Sequence, residues 1–132
     1  MSGIKRADVI EEYWYSIDWD VEAIWALDLP VEEMPIDRFL WHLDVPIWPY
    51  RGVGYVITPN QVLADPVRYA EEHERLTKAD LTYPLDVYFH RGRWMILDGV
   101  HRLAKAVWDD RECLAVRQVP ESAVTQLVSG DT

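Results

Sequence analysis

Trp94-Met95-Ile96-Leu97-Asp98-Gly99-Val100-His101-Arg102-Leu103-Ala104-Lys105-Ala106 is the stretch on which the fold turns. Trp94 to Leu97 is a short apolar run, which alone suits a strand or a helix. The flanks favour a strand: a glycine turn at Arg91-Gly92 lies just upstream, and Asp98-Gly99 follows at once. From Val100 the period changes, with Leu103, Ala104 and Val107 on one helical face. The stretch therefore reads as buried strand, glycine turn and first turns of a helix. Gly99 lets the backbone turn sharply and approach a ligand with no Cβ in the way.

Such a junction leaves the first helical N–H groups unpaired, at the end where the helix dipole favours an anion. His101 and Arg102 fall in that first turn, and arginine offers a fork of donors matched to phosphate or carboxylate oxygens. Two readings stand side by side. One is an anion site, for a phosphate, built from Asp98, Gly99, Val100, His101 and Arg102. The other is a structural junction in which His101 is packed and Arg102 is paired with a local acid.

Asp-Gly-Val-His-Arg-Leu-Ala-Lys-Ala, placed after a hairpin strand, resembles the signature of the ParB/sulfiredoxin-like superfamily. The resemblance implies a turn that holds the phosphates of a nucleotide. Gly99 falls where both branches carry glycine. Arg102 falls on the second arginine of the ParB Gly-Glu-Arg-Arg box and on the arginine of the sulfiredoxin Gly-Cys-His-Arg box, whose histidine His101 matches. Val100 stands where sulfiredoxin has its catalytic cysteine and ParB has glutamate, so the special chemistry of both is missing while the phosphate cradle remains. Sulfinic acid reduction through a cysteine at this motif is thereby excluded.

The resemblance covers Leu29 to Pro120 and implies an α+β fold, a small mixed sheet surrounded by helices. Residues 1–28 form a helical extension outside it and 121–132 a C-terminal tail of the same single domain. It also implies that the segment after the first strand lines the nucleotide pocket, where the free-serine kinases of this superfamily place a catalytic acid. Asp44 is the positional match, with His42 two residues away. Against this stands the plainer reading, in which His42 and Asp44 bond each other or the loop backbone. The functions that follow are binding of a nucleotide or phosphorylated small molecule, with a small-molecule kinase or nucleotide hydrolase as the enzymatic form. Its cofactor would be a nucleoside di- or triphosphate with Mg²⁺. The alternative is a non-catalytic module that keeps the fold and binds a protein partner through an acidic, tryptophan-rich surface.

The chain has 132 residues, enough for one domain with a real core. Hydrophobic residues make up 49%, with seven Trp and seven Tyr, which marks a globular chain rather than a disordered one. Its 23 acids outnumber its 13 bases, for a net charge of −10, and there is no basic run. Affinity for nucleic acid draws heavily on Lys and Arg at phosphates, so DNA binding is disfavoured, a local patch at Arg91, Arg93, Arg102 and Lys105 notwithstanding. Apolar runs are too short for a membrane span, and Met1 to Arg6 lack the apolar core of a signal peptide. Cys113 is the single cysteine, read as a small core residue. With no internal disulfide, the expected compartment is the cytoplasm. No metal constellation stands out among the four scattered histidines.

The remaining elements follow from local chemistry. Residues 8 to 27 read as two helical pieces, with Asp18 or Asp20 capping the second through Leu27. Leu29 to Ile36 reads as an edge strand because of its prolines, and Asp37 as the cap of a short helix through Leu40. Trp41 to Pro49 reads as an extended surface loop and Arg51 to Tyr55 as a glycine-punctuated loop. Thr58-Pro59 opens a short helix to Leu63 or Ala64. Asp65-Pro66 opens a longer one to about Lys78, with Val67, Ala70, His73 and Leu76 inward and Glu71, Glu72 and Glu74 solvated. Leu85 to His90 pairs with Arg93 to Leu97 across Arg91-Gly92. The helix from Val100 ends near Trp108, Cys113 to Pro120 is the last strand, and a short helix or frayed tail follows.

Overall fold

Two Arg-Gly dipeptides fold the chain back on itself in the same way. Arg51 and Gly52 have φ of 54° and 82°, and Arg91 and Gly92 have 54° and 81°. Two successive positive φ values make the tight turn whose twist matches paired strands. In the computed structural model, which describes residues 21–127, these turns join β2 (Trp48–Tyr50) to β3 (Val53–Ile57) and β4 (Leu85–His90) to β5 (Arg93–Asp98). The other elements are α1 (Val21–Trp25), β1 (Glu32–Pro35), a 3-10 helical segment (Ile36–Asp44), α2 (Pro59–Ala64), α3 (Ala70–Thr77), α4 (Val100–Trp108), β6 (Cys113–Gln118) and α5 (Glu121–Leu127).

The main sheet has the order β1-β6-β4-β5. β6 runs parallel to β4, and the outer pairs are antiparallel. The protein is thus a small α+β molecule with a four-stranded mixed sheet and a separate β2–β3 hairpin. The β4–β5 register, Val87 opposite Ile96 and His90 opposite Arg93, is the hairpin expected from sequence. α4 begins at Val100, also as expected.

Side chains alternate across the sheet, as strand geometry demands. Leu85, Val87, Ile96, Leu114 and Val116 join Leu103, Ala104, Leu76 and Phe39 in one core. Tyr88, Met95 and Leu97 face a second core with Ile24, Val45 and Val124. α4 is therefore on one face of the sheet, and α1 and α5 are on the other.

Several expectations are corrected. The 8–17 helical piece and the capping roles of Asp18 and Asp20 lie outside the described residues, and α1 ends at Trp25 rather than Leu27. The edge strand is shorter, Glu32–Pro35. Asp37 lies inside the first turn of the 3-10 segment and does not cap it. Trp41 to Asp44 are helical, with His42, Leu43, Val45 and Trp48 buried, so this stretch is not an extended surface loop. Arg51 to Tyr55 is the second hairpin turn and the start of β3. Thr58 does cap α2, in a reciprocal box with Gln61. The longer helix starts only at Ala70, because Asp65 first forms a turn, its Oδ1 accepting from Arg68 N at 3.1 Å. Tyr69, Glu72 and Leu76 face inward there, while Val67 and Ala70 are exposed. Cys113 is exposed at the start of β6 rather than in the core.

β5 is an edge strand, and the 3-10 segment covers its open side. His42 Nε2 accepts from Ile96 N at 3.0 Å, and its Nδ1 donates to Phe39 O at 2.8 Å. Trp41 Nε1 donates to Trp94 O at 3.0 Å. These contacts satisfy backbone groups that an uncovered edge would present to another chain. Each ring nitrogen has the role that a neutral imidazole supplies, one donor and one acceptor. Burial drives the His42 pKa down from 6.5 to about 3.

Unfolding exposes His42 and lets it take a proton near pH 6.5, whereas the folded state resists protonation down to about 3. The unfolded state then binds more protons, so stability falls as pH drops through that window. Urea unfolding near pH 6.5 and near pH 4.5 should differ by roughly 2 kcal/mol from this residue, at about 1.4 kcal/mol per unit. His42→Gln should be less stable at neutral pH yet lose less on acidification. Identical pH slopes for the two proteins would contradict this role.

Candidate functional site

Arg117 follows the apolar run of β6, next to the strand's last residue, and its bonds are to structure. Its Nε donates to Asp86 Oδ1 at 2.7 Å, while Nη1 and Nη2 donate to Leu27 O at 2.7 Å and Ile24 O at 2.8 Å. A helix as short as α1 is marginal alone. Here an arginine on the Ile24 carbonyl and on that of Leu27 just past the helix, together with Ile24 in the core, holds it to the sheet. Asp86 lies on β4, the strand parallel to β6. Burial pushes its carboxyl above the ordinary range, against the opposing pull of Arg117.

α1 so placed forms one wall of a cleft of about 900 Å³. The start of α4 forms another, and the Ala79–Pro84 loop a third. The cleft brings together all five residues of the expected anion site, Asp98, Gly99, Val100, His101 and Arg102. Three large apolar side chains stand at it unusually bare: Trp25 at 58% exposure, Val31 at 60% and Tyr83 at 65%.

Gly99 has φ of +125° and caps α4 with no side-chain hydrogen bond. The first turn closes with Leu103 N on Gly99 O at 2.9 Å, which leaves the three preceding N–H groups outside the helical ladder. The glycine answers a packing need rather than a ligand's approach. A Cβ there would come within 2.9 Å of Leu85 Cγ and 3.3 Å of the Arg102 guanidinium carbon.

Arg102 is turned inward. Its Nη1 donates to Pro84 O at 2.6 Å and its Nη2 to Asp98 Oδ2 at 3.0 Å. The same Asp98 oxygen accepts from Trp25 Nε1 at 2.8 Å. His101 stacks on Trp48, with centroids 4.4 Å apart and planes at 11°, and its Nε2 meets Glu72 Oε1 at 2.9 Å. The structural-junction reading of the motif is therefore realised in these contacts. Three carboxylates, of Asp80, Asp86 and Asp98, line the cleft beside two guanidiniums that are both already paired. Hydrogen bonds from Thr82 hold the Asp80 carboxyl below its usual range.

Asp44 and His42 are elsewhere. Asp44 is exposed and accepts from Asn60 Nδ2 at 2.7 Å. His42 is sealed in the core and bonded to Phe39 and Ile96, not to Asp44. Neither lines the cleft. Arg91 and Arg93 sit at the hairpin tip and Arg102 at the other end of β5, so the four bases do not form one patch. Among the described residues, no three His, Cys, Asp or Glu side chains group as a metal ion would need, and no helix is long and apolar enough to cross a membrane.

Sequence reasoning missed Trp25, Tyr83, Glu72 and the Asp86–Arg117 pair. The last left a signal: Asp86 and Arg117 each put a charge beside the apolar residues of a strand. Opposite charges on neighbouring buried strands are expected to meet, because an unpaired one is costly. No protein-family model, curated protein or solved structure matches the chain. Its class is set by fold and cleft alone: a small mixed α/β protein with a ligand-sized cleft at a strand-turn-helix junction.

Arg117→Met would strand Asp86 as a buried carboxylate without its partner, which costs about 3–5 kcal/mol. Adding Asp86→Asn to that variant should restore part of the loss. Chemical unfolding measures both. A cost below about 1 kcal/mol, the scale of a surface ion pair, would show the bridge to be incidental.

Proposed function

We propose that this chain binds a phosphorylated small molecule, on a fold of the ParB/sulfiredoxin-like kind, in the cleft at the start of α4. The observation that carries the reading is the position of Trp25, Val31 and Tyr83. Three of the most exposed large apolar side chains surround one cleft that also meets an uncapped helix N-terminus. Exposed apolar surface gathered around a concavity with a few convergent polar groups is the usual make-up of a ligand site. The ligand's phosphate would take the N–H groups of residues 100–102 and the unused donors of Arg102. Its organic part, a nucleobase being the best match, would cover the apolar rim of Trp25, Val31 and Tyr83.

The charge balance favours a ligand with a single phosphate. With both guanidiniums paired, a polyphosphate would meet Asp80, Asp86 and Asp98 without compensating charge. Mg²⁺ carried by a nucleoside di- or triphosphate needs only one or two carboxylates beside the phosphate oxygens, so ATP with Mg²⁺ is the arm of the titration that tests this preference. Binding without phosphoryl transfer is the preferred form. Transfer needs a group that positions or deprotonates the acceptor, and Asp44 is bonded to Asn60 away from the cleft.

A second reading, a protein-docking module, has one observation behind it. Phe89 is 54% exposed and packs edge-on to Trp94 beside a groove of about 300 Å³ bounded by Val119 and Pro120. That groove is remote from α4, so the two readings separate experimentally.

Calorimetric titration with AMP, ADP, ATP with Mg²⁺ and inorganic phosphate tests the proposal. AMP should bind with the highest affinity and raise the melting temperature by mass action. Arg102→Gln, checked for folding by circular dichroism, should weaken binding roughly tenfold to a hundredfold, the scale of one charge-assisted hydrogen bond. Unchanged affinity in the folded variant would remove Arg102 from the site. Absence of binding by every phosphate compound would favour the docking reading.

A further inference from the structure

Glu72 is out of place for a residue of its kind. α3 is an acidic helix whose Glu71 and Glu74 are exposed, yet Glu72 is only 5% exposed. Burying a carboxylate costs several kcal/mol unless partners replace its water. Arg75, 3.3 Å from Oε2, is itself largely in solvent. The close partner is His101, whose Nε2 is 2.9 Å from Oε1. Trp48 fixes the same imidazole from its face by stacking. A buried acid and a buried indole together hold one histidine that lines the cleft.

That arrangement fixes the proton. A carboxylate only accepts, so Nε2 must carry the hydrogen, and a neutral imidazole has one N–H. Nδ1 is left with a lone pair. It has no hydrogen-bond partner among the described residues and is not among their buried unsatisfied atoms, so solvent reaches it, on a residue that lines the cleft. We infer that Glu72 and His101 form a dyad that presents Nδ1 as a hydrogen-bond acceptor, selecting a ligand that brings an O–H or N–H donor to that point. Glu72 is the positioning residue and His101 the specificity-determining one.

The inference rests on the cleft being the ligand site, and it narrows the ligand. A phosphate dianion has acceptors only and is turned away from Nδ1 toward the α4 N–H groups beside it. The donor then comes from the rest of the molecule. This suits a phosphate ester with a free hydroxyl near the phosphate, as in a sugar phosphate or a ribonucleotide. The charged groups around His101 are Glu72 and Arg75 on α3, Asp98 and Arg102 at the turn, and Asp80 across the cleft.

Long-range ¹H–¹⁵N spectra of the labelled protein near pH 8 read the tautomer directly, with His101 assigned by its loss in His101→Gln. The dyad requires a pyridine-type Nδ1 and a pyrrole-type Nε2. In Glu72→Leu the two signals should converge as the tautomers mix, while Glu72→Gln, whose amide oxygen still accepts, should keep them apart. A protonated Nδ1 in the unmodified protein overturns the dyad, whether or not either variant folds. For the ligand, AMP should bind about tenfold more tightly than its 2′,3′-dideoxy analogue, the worth of one hydrogen bond to a polar partner. Equal affinities overturn the donor requirement. If neither compound binds while the tautomer is as stated, the cleft reading and the donor requirement fall together and the dyad stands.

Discussion

The Arg117 guanidinium is the tie on which the cleft depends. It reaches β4 through Asp86 and α1 through the carbonyls of Ile24 and Leu27. α1 is a single short turn and a half of helix that could not hold its position by propensity. Without it Trp25 would not stand over Asp98, and the start of α4 would face open solvent. The pair is buried, so its value is less in net stability than in specifying one arrangement: either partner left alone is heavily penalised. The cleft wall is therefore built from the interior of the sheet outward.

The electrostatics follow from the same economy. In a chain of net charge −10, cations within reach of a carboxylate tend to be taken. Arg102 goes to Asp98, Arg117 to Asp86 and Lys78 to Glu74. What remains for an anion at the cleft is the donors that Arg102 leaves unused and the backbone: N–H groups at a helix start, whose partial charge does not titrate and is not neutralised by a side-chain cap. An acidic protein can hold a phosphate in this way with little free positive charge, but the reach of the effect is one helical turn. A single phosphate is within that reach, and a polyphosphate is not.

Much of the fold was legible because its signals are local. Arg91-Gly92, Thr58-Pro59 with Gln61, and the shift of period at Gly99 each fix a turn or a cap within four residues. The same dipeptide at Arg51-Gly52 reads from sequence only as part of a glycine-punctuated loop, since its flanks, Trp48-Pro49-Tyr50 and Val53-Gly54-Tyr55, carry a proline and a further glycine that weaken the strand signal. Tertiary effects were not legible. His42 looked like a loop histidine until the open side of β5 gave both its nitrogens a backbone partner. Glu72 looked solvated until α4 brought His101 against it. The five residues of the Asp98–Arg102 motif, singled out in the sequence, line the cleft together, while the apolar rim of Trp25, Val31 and Tyr83, contributed by three separate segments, has no sequence pattern to find.

The most direct measurement is a ¹H–¹⁵N correlation titration of the labelled protein with AMP, following the backbone amides. Saturable shifts should be concentrated at Gly99 through Leu103, with side-chain indole shifts at Trp25, while the hairpin tip from His90 to Arg93 stays still. Shifts confined to that tip, or none up to millimolar AMP, would contradict a ligand site at the start of α4.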